Sequence, residues 1–536
     1  MTNELSKFSL LYPDEDTQTA HYSGTARPNI DMFVLDELGL LEVFDLKNRD
    51  LDEYFTTDSK VIKHRMDVFE DMLTFPEISV TLNKLIPILT DIMELRRLEA
   101  DTGDTESYLE SITEIELYIS SISTLNNGFS PIKEKLKSDA MRTLAFRISD
   151  LADSDYYKEL NVKLSELTNR VRDIRSVTIG VNLDAQLRPS SAGVLSINPE
   201  PFRSGDVIDK ILRLNFKDDE YTCIANLVPF SKKQSDNQRT ALALAFNSAI
   251  NDVYKQSLRS WKKIVQSYVL ENTDFLLNLM PEIEFLVKGT ELLRALKDKG
   301  LSLCKPEIPE NGVCIFNAVE LYNPCVALKV DYEIVTNDIC FDKSDAMIYV
   351  LTGPNRGGKS VITCAIGLSV ALMQLGMFVP AKSAVISIAD GIFTHFPTGA
   401  DDTIDKGRLG EECARLRDIF DQVSSDSLVL LDESLSSTGS FEASYIAAEV
   451  LAGLSRVGCR CLFSTHLHEL AAEIDGINAR TAPEGGCAID TLVAGIEDGK
   501  RSFKIFRQKP DGKSYARDIA DKYGLSYENI VSKIKN

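Results

Sequence analysis

Met347-Ile-Tyr-Val-Leu-Thr352 is a short apolar run, and Gly353-Pro-Asn-Arg-Gly-Gly-Lys-Ser360 follows it directly, ahead of the apolar stretch Val361–Leu375. The first run has the length and composition of a buried strand, and the third is long enough for a helix. Glycines allow backbone N–H groups to curl around an anion, and a helix N-terminus adds the positive end of its dipole. The order of strand, glycine-rich loop and helix therefore predicts a phosphate-binding loop.

The loop satisfies the pattern G-x-x-x-x-G-K-[ST], in which the lysine and the hydroxyl group have separate roles. Lys359 has the reach to contact the β- and γ-phosphates of a nucleotide, and Ser360 offers an oxygen to Mg²⁺. We therefore expect ATP and Mg²⁺ as the cofactors, with a glycine-rich turn that binds nothing as the alternative. The predicted ATP- and phosphate-binding residues are Gly353, Pro354, Asn355, Arg356, Gly357, Gly358, Lys359, Ser360 and Val361.

A second apolar run, Leu428–Leu431, ends in two acids, Asp432 and Glu433. An acid at the tip of a strand beside a phosphate loop can hold Mg²⁺, so we assign Asp432 and Ser360 as the metal ligands. The following acid, Glu433, can orient and activate the water that attacks the γ-phosphate. His466 ends the next apolar run and is placed to sense the γ-phosphate, although a lone histidine is more often structural. The predicted catalytic residues are Glu433, His466 and Lys359.

The chain after Cys304 has the alternating pattern of an α/β domain. Besides the run before the phosphate loop, the predicted strands are Val385–Ile388, Gly391–Phe396, Leu428–Leu431 and Arg460–Ser464. Helical stretches separate them. Strands that alternate with helices predict a mostly parallel sheet covered by helices.

The earlier part of the chain is predicted to be mainly helical. Apolar residues recur at intervals of three and four from Asp36 to about Ile174, and again from about Gln238 to Lys299. Between these stretches, Ser176–Asp184 and Ala192–Ile197 are short β-prone runs that predict a hairpin. The resulting domain scheme is an N-terminal arm over 1–30, a helical core and lever domain over 31–300 with a β-containing insertion near 175–230, and a phosphate-loop domain over 301–536 with a short C-terminal helical element.

Composition limits the classes of function. The 536 residues carry 59 Lys+Arg and 81 Asp+Glu, a net charge of −22, and most of the acidic excess precedes residue 346. A DNA-coating surface is usually basic, so this part of the chain is unpromising as one, although a local basic patch remains possible. The ten cysteines are scattered, without metal-binding spacing. No apolar stretch is long enough to span a bilayer and no signal sequence is evident, so we expect a cytoplasmic protein without a membrane partner.

The motifs together resemble the MutS family of ABC-type ATPases. Thr352–Ser360 is similar to that family's TGPNxGGKS, whose Pro-Asn pair is unusual among phosphate loops. Further landmarks follow in the family's order: Phe378-Val-Pro-Ala381, Ile392-Phe-Thr394, Ala400-Asp-Asp402, Asp432-Glu433, Phe441, Ser464-Thr-His466, Glu469-Leu470 and Ser514-Tyr-Ala516. Thr336-Asn-Asp338 stands where the family places residues near the adenine, which implies that Ile334 and Val335 pack against the base. The resemblance is close over 280–536 and loose over 31–280.

Three departures from the family pattern change what the resemblance implies. There is no room before residue 31 for the family's mismatch-reading and connector domains, so we do not expect mismatch reading. The family's signature loop, which acts on the partner subunit's γ-phosphate, carries a Ser-Thr-Phe run; here Arg408, Leu409 and Gly410 lie in that region, with Lys406 as a further source of charge. Serines of 434–440 replace the glycine- and arginine-rich loop that follows the two acids.

The resemblance implies an ATPase that acts as a homodimer and couples ATP to the binding of DNA, whether duplex, mismatched or branched. The alternative is an ATP-switched protein–protein scaffold without a direct role on DNA, which the acidic charge before residue 346 favours. A transporter's nucleotide domain is a weaker reading, because the sequence has neither an LSGGQ-like run nor a membrane segment.

Overall fold

The computed structural model describes residues 8–44, 46, 50–102, 108–172, 176–183, 185, 189–198, 203–204, 222–223, 270–310, 312–397, 407–497, 500–509 and 523–534. The described α-helices are α1 Glu15–Tyr22, α2 Met32–Glu37, α3 Ser59–Thr74, α4 Pro76–Thr102, α5 Tyr108–Phe129, α6 Asp139–Asp153, α7 Asp155–Arg172, α8 Leu270–Asp298, α9 Pro324–Lys329, α10 Lys359–Gln374, α11 Gly407–Phe420, α12 Ser440–Val457, α13 His468–Thr481 and α14 Tyr527–Ile534. Short 3₁₀ turns cover Leu51–Tyr54, Lys133–Lys135 and Ala482–Glu484.

The described strands form four separate sheets. They are β1 Ser176–Leu183, β2 Pro189–Asn198, β3 Arg203–Ser204, β4 Thr222–Cys223, β5 Ile315–Leu321, β6 Asn337–Asp342, β7 Ile348–Thr352, β8 Ser383–Ile386, β9 Ile392–His395, β10 Leu428–Asp432, β11 Arg460–Ser464, β12 Ile489–Glu497 and β13 Lys500–Arg507. A helical region thus precedes a domain built on a mixed sheet, as the sequence predicts.

The chain divides into two compact units. The first unit comprises Met1–Phe8, Glu77–Leu136 and Arg142–Met280, and the second comprises Ser9–Pro76, Lys137–Met141 and Pro281–Asn536. The boundary inside α8 falls at Pro281, a residue that removes one helical hydrogen bond. Each unit is built from segments that are separated in sequence, and the domain scheme with boundaries at 30 and 300 stays a prediction.

In its described residues the first unit is mainly helical, with the hairpin β1–β2 and the short parallel pair β3–β4. Helix α4 buries Leu82, Leu85 and Leu89, whose spacing of three and four places them on one face. The predicted hairpin is present, with β1 antiparallel to β2. Its second strand begins at Pro189 rather than Ala192, so the residues predicted as its turn are partly strand. The helix predicted from Gln238 onward is described only from residue 270, and its earlier part lies outside the described residues.

The first residues of the second unit are packed rather than extended. Leu10 and Leu11 are buried, and Glu282 accepts hydrogen bonds from Ser9 Oγ at 2.8 Å and from the Leu10 backbone N–H at 2.6 Å. Helix α1 follows, capped by the side chain of Asp14. The arm over 1–30 stays a prediction as a domain, although Leu10 and Leu11 within it are buried. The Pro, Gly and Ser content of that stretch concealed a short apolar run that the core of the unit buries.

The main sheet of the second unit has six strands in the order β13-β12-β7-β11-β10-β9. Strands β9 to β12 and β7 are parallel, and β13 is antiparallel at the edge. The predicted strands at Gly391–Phe396, Leu428–Leu431 and Arg460–Ser464 are all present. The one predicted at Val385–Ile388 belongs instead to a second, antiparallel sheet in the order β6-β5-β8, because a short apolar run does not specify its partner strand.

The sheet order brings the ends of three strands together. Strands β7, β11 and β10 are neighbours, with Leu351 opposite Ser464 and Ser464 opposite Asp432. All the side chains of these strands are buried, which explains their uninterrupted apolar runs. The phosphate loop after β7, Glu433 after β10 and His466 after β11 therefore share one edge of the sheet. Among the described helices, none is long and apolar enough to cross a membrane.

Candidate nucleotide-binding site

The loop between β7 and α10 depends on glycine at its two ends. Gly353 has φ 142° and Gly358 has φ 92°, which lie in the region that favours glycine. A side chain at Gly353 would also bring its Cβ within 2.7 Å of the Cβ of Ala494 on the neighbouring strand. Between them Arg356 takes a left-handed conformation with φ 60°. The loop is therefore shaped by close backbone packing, as the sequence pattern requires.

Lys359 lies at the first position of α10 and is almost fully buried. Its Nζ is 3.3 Å from the carbonyl oxygen of Gly353 and 3.3 Å from Oε1 of Glu433. A buried ammonium group needs an anionic partner, because desolvation otherwise disfavours its charge. In this structure Glu433 is that partner, so an incoming phosphate would compete with a carboxylate for Lys359.

Asp432 ends β10 and is buried beside the loop. Burial raises the pKa of its carboxyl group above the ordinary value, although the hydroxyl groups of Ser360 and Ser464 favour the charged form. Within the described part of the chain, Asp432 Oδ1 has no hydrogen-bond partner. A buried carboxylate oxygen without a partner, next to a serine hydroxyl, suits the oxygen ligation that Mg²⁺ prefers. The residues present therefore fit the predicted metal ligands, Asp432 and Ser360.

Glu433 follows with an unusual backbone. Its φ is 50°, a left-handed value that strains a non-glycine residue, and its N–H donates to the carbonyl of Ser464 at 2.8 Å. This turn directs the carboxylate into the site, where one oxygen meets Lys359 and the other contacts Nδ1 of His466. The His466 side chain is half-exposed. The structure thus brings the three predicted catalytic residues together.

A cleft of about 860 Å³ lies along the phosphate loop. Of the predicted residues, it is lined by Asn355, Arg356, Gly357, Gly358, Lys359, Ser360, Val361, Glu433, His466, Ile334 and Val335. Gly353, Pro354 and Asp432 are buried behind it and do not line it. The cleft therefore joins a phosphate end to a more apolar end, where the two residues predicted near the adenine are found.

Phe503 is a cleft residue that the sequence analysis missed. It lies in a bulge of β13, where the pairing with β12 is irregular beside Gly495, and its φ is 56°. The side chain of Asn337 holds the bulge, donating to the Phe503 carbonyl at 3.1 Å and accepting from the N–H of Ile505 at 2.7 Å. Bulges redirect side chains, and this one leaves the ring about half-exposed beside Gly358.

The residues predicted to act on a partner subunit lie away from this cleft. Arg408 and Gly410 are exposed in the first turn of α11, and Leu409 packs against the apolar core of the unit. None of the three lines the cleft, so the chain's own site does not include them. Lys406 and Ala400–Asp402 lie outside the described residues.

Family models of known proteins match two separate parts of the chain. The family model for MutS domain V matches residues 349–487, which hold the phosphate loop, both acids and His466. The model for the MutS2 N-terminal domain matches residues 57–299.

Curated relatives share sequence identity with segments of the chain that differ in length. The DNA mismatch repair protein MutS of Clostridium beijerinckii is 28% identical over 475 residues, which cover 81% of this chain and 50% of that protein. Proteins of the same name from Prochlorococcus marinus and Desulforamulus reducens are 41% identical over 28% of this chain and 35% identical over 37% of it. The matches cover 16% and 22% of those two proteins, so the chain spans half their length at most. Because two MutS family models match consecutive parts of the chain, the chain belongs to the MutS family.

Proposed function

We propose that this chain binds ATP with Mg²⁺ in the cleft beside the phosphate loop and hydrolyses it. The observation that carries the proposal is the pair Asp432 and Glu433 at the end of β10, with the second carboxylate 3.3 Å from the buried Lys359. A bare glycine turn would not require a buried lysine, a buried carboxylate oxygen without a hydrogen-bond partner and a strained acidic turn at the same strand edge. Conditions so costly in free energy are concentrated at functional sites.

Each residue has a definite part in the proposed reaction. Backbone N–H groups of the loop and the Lys359 ammonium bind the phosphates. Asp432 and Ser360 would hold Mg²⁺, which when bound neutralises phosphate charge. Once a phosphate takes over Lys359, the Glu433 carboxylate is released to accept a proton from the attacking water, with His466 holding its second oxygen. Ile334 and Val335 provide apolar surface for the base.

We further propose that the chain works as a homodimer and couples ATP to DNA binding. Curated relatives named as DNA mismatch repair proteins support a DNA partner. Mismatch reading is not part of the proposal, because no aromatic reader motif is identifiable in the sequence given. An ATP-switched protein scaffold is the second candidate, favoured by the net charge of −22 and its concentration before residue 346.

The nucleotide part is tested by titrating the protein with ATP in the presence of Mg²⁺ and measuring phosphate release. Lys359→Ala is expected to lose most ATP binding, because the phosphates lose their buried cation. Lys288→Ala removes a lysine paired with Glu291 on the surface of α8, so it serves as the matched control and should bind ATP normally. Equal ATP affinity in the two variants would contradict the proposed site.

The DNA part is tested by binding to duplex, mismatched and four-way-junction DNA, with a non-hydrolysable ATP analogue present. If phosphate contacts drive DNA binding, log Kd should rise linearly with the logarithm of the salt concentration. Absence of binding to all three at about 50 mM salt, where electrostatic attraction is strong, would favour the scaffold function instead.

A further inference from the structure

The turn after Asp432 contains two strained residues in close succession. Glu433 and Leu435 both have left-handed backbones, with φ 50° and 64°, and Ser434 lies between them. Such conformations persist only where surrounding contacts hold them. The side chain of Ser434 is buried and makes those contacts with one residue, His395, at the end of β9.

The ring of His395 is buried and both of its nitrogens have partners. Nδ1 is 2.8 Å from Ser434 Oγ, and Nε2 is 3.2 Å from the carbonyl oxygen of Glu412 on α11. Burial, with a smaller contribution from the Arg415 charge, lowers the pKa of His395 to about 4, so the ring is neutral at pH 7. The Glu412 carbonyl can only accept, which assigns the ring proton to Nε2. The Ser434 hydroxyl group has a single proton, which it then donates either to Nδ1 or to the His395 carbonyl oxygen 3.0 Å away.

This pair joins two segments, of which the proposed reaction uses the first. One is the turn that directs the Glu433 carboxylate, and the other is α11, whose first turn carries Arg408. Arg415 adds a second contact between α11 and the end of β9, donating to the carbonyl of Phe396 at 3.1 Å. A displacement of α11 would therefore be transmitted through His395 to the turn.

We propose that His395 is a positioning residue, which sets the place of the Glu433 carboxylate by linking Ser434 to α11. The proposal rests on the proposed function, in which Glu433 activates the attacking water. It assigns to His395 and Ser434 an effect on the rate of the chemical step and none on the affinity for ATP, since neither lines the cleft.

The test measures kcat and the Kd for ATP in the full chain. Ser434→Ala and His395→Phe are each expected to lower kcat at least about tenfold, because small misplacements of a reacting group are costly. The Kd for ATP should stay within about twofold, since no phosphate contact is removed. The double variant should be no slower than the slower single variant, because both changes break the same link. Ser434→Thr restores the hydroxyl group and should recover most of the rate.

Further variants separate this role from general stabilisation. Ser455→Ala removes another buried serine hydroxyl with hydrogen bonds, far along α12, and should leave kcat unchanged. His395→Asn keeps a donor or acceptor for Ser434 but cannot reach Glu412, so it should be as slow as His395→Phe. If His395→Phe does not fold, the Ala and Thr variants of Ser434 alone decide the question.

Three results would overturn the proposal. If Glu433→Gln abolishes ATP turnover while Ser434→Ala keeps the wild-type rate, the positioning role is rejected and the proposed function stands. A normal rate in His395→Asn would reject the link to α11. Absence of turnover in the wild-type protein would reject the proposed function and the positioning role together.

Discussion

Glu433 combines a strained backbone conformation with an ion pair to a buried lysine. Its left-handed backbone costs about 1–3 kcal/mol, a substantial part of a protein's net stability. The carboxylate is paired with the buried Lys359, so the resting site neutralises its own cation. ATP binding would exchange that internal partner for phosphate, and the same step would free the carboxylate. In the proposed reaction, the strained turn would thus place a carboxylate that exchanges its contact with Lys359 when ATP binds.

Glu433→Gln is expected to bind ATP at least as tightly as the wild type and to hydrolyse it at least about a hundredfold more slowly. The neutral amide competes less with phosphate for Lys359, and it cannot accept a proton from water. Equilibrium binding of ATP and single-turnover phosphate release measure the two effects separately.

The matched control for this change is Glu449→Gln, which removes a surface charge paired with Arg480. Its ATP binding and hydrolysis should equal those of the wild type. Normal turnover in Glu433→Gln would show that another group activates the water.

Glu282 is a second buried acid, with a role in stability. Burial raises its pKa from the ordinary value of 4.5 to about 7, although Ser9 and Leu10 donate hydrogen bonds to it. Between these two values the unfolded chain releases a proton that the folded chain retains, so rising pH favours unfolding. We predict that the free energy of unfolding of Glu282→Gln rises relative to that of the wild type between about pH 5 and about pH 8, by an amount on the order of a few kcal/mol. Its thermal midpoint should rise relative to the wild type over the same range.

The measurement is a series of thermal unfolding curves for both proteins across that range. Near pH 5 the protonated Glu282 resembles glutamine, so the two midpoints should be closest there. Glu291→Gln changes an exposed acid on the same helix and should give a difference independent of pH. A difference for Glu282→Gln that is also constant would show that the carboxyl group does not titrate in this range.

At the scale of elements, the bulge in β13 places an aromatic ring beside the phosphate loop. The side chain of Asn337 hydrogen-bonds to the Phe503 carbonyl and to the Ile505 N–H, which lie on either side of Lys504. The half-exposed ring lines the cleft with Ile334 and Val335, so its apolar face is available to a base. A strained bulge with an exposed ring contributes little to the fold itself, which favours a role in binding.

Phe503→Ala is expected to raise KM for ATP about tenfold, the order of one aromatic–base contact, with little change in kcat. Steady-state kinetics at saturating Mg²⁺ measure both constants. Phe506→Ala removes another half-exposed ring from the same strand but outside the cleft, so it should leave KM unchanged. Equal KM values for the two variants would exclude a base contact by Phe503.

The sequence predicted best those strands whose apolar pattern follows directly from burial. Strands β7, β10 and β11 are buried on both faces, so each is a continuous apolar run, and their polar tips mark the site directly. Phe503 escaped detection because β13 mixes charged and apolar residues without a clear period. Only the side chain of Asn337, distant in sequence, reveals the bulge. Leu10 and Leu11 were missed for a related reason, since too few apolar residues lie together there to show a period.

At the scale of the whole molecule, the proposed coupling between ATP and a partner has to connect the nucleotide cleft with other parts of the chain. Helix α8 contributes residues to both compact units, and the MutS2 N-terminal match ends at its last residues. Any coupling between ATP and a partner is reciprocal, so a partner that ATP favours must in turn favour ATP. The acidic charge before residue 346 requires that a DNA-binding surface there be a local basic patch.

Association of two copies gives the last prediction. Arg408 is exposed in the first turn of α11 and does not line the cleft of its own chain, so its predicted action on phosphate requires a second chain. Arg408→Ala should therefore lower the ATPase rate while leaving ATP binding intact.

Mixing Arg408→Ala with Lys359→Ala should restore activity, because a hybrid dimer has one cleft with both Lys359 and a partner's arginine. At equal amounts the mixture should reach about a quarter of the wild-type rate, as half of randomly formed symmetric dimers are hybrids with one working site each. The measurement is phosphate release against the fraction of each variant, with Arg417→Ala as a control from the far end of α11. If the two variants fold and associate but their mixture stays inactive at every ratio, Arg408 does not act across subunits.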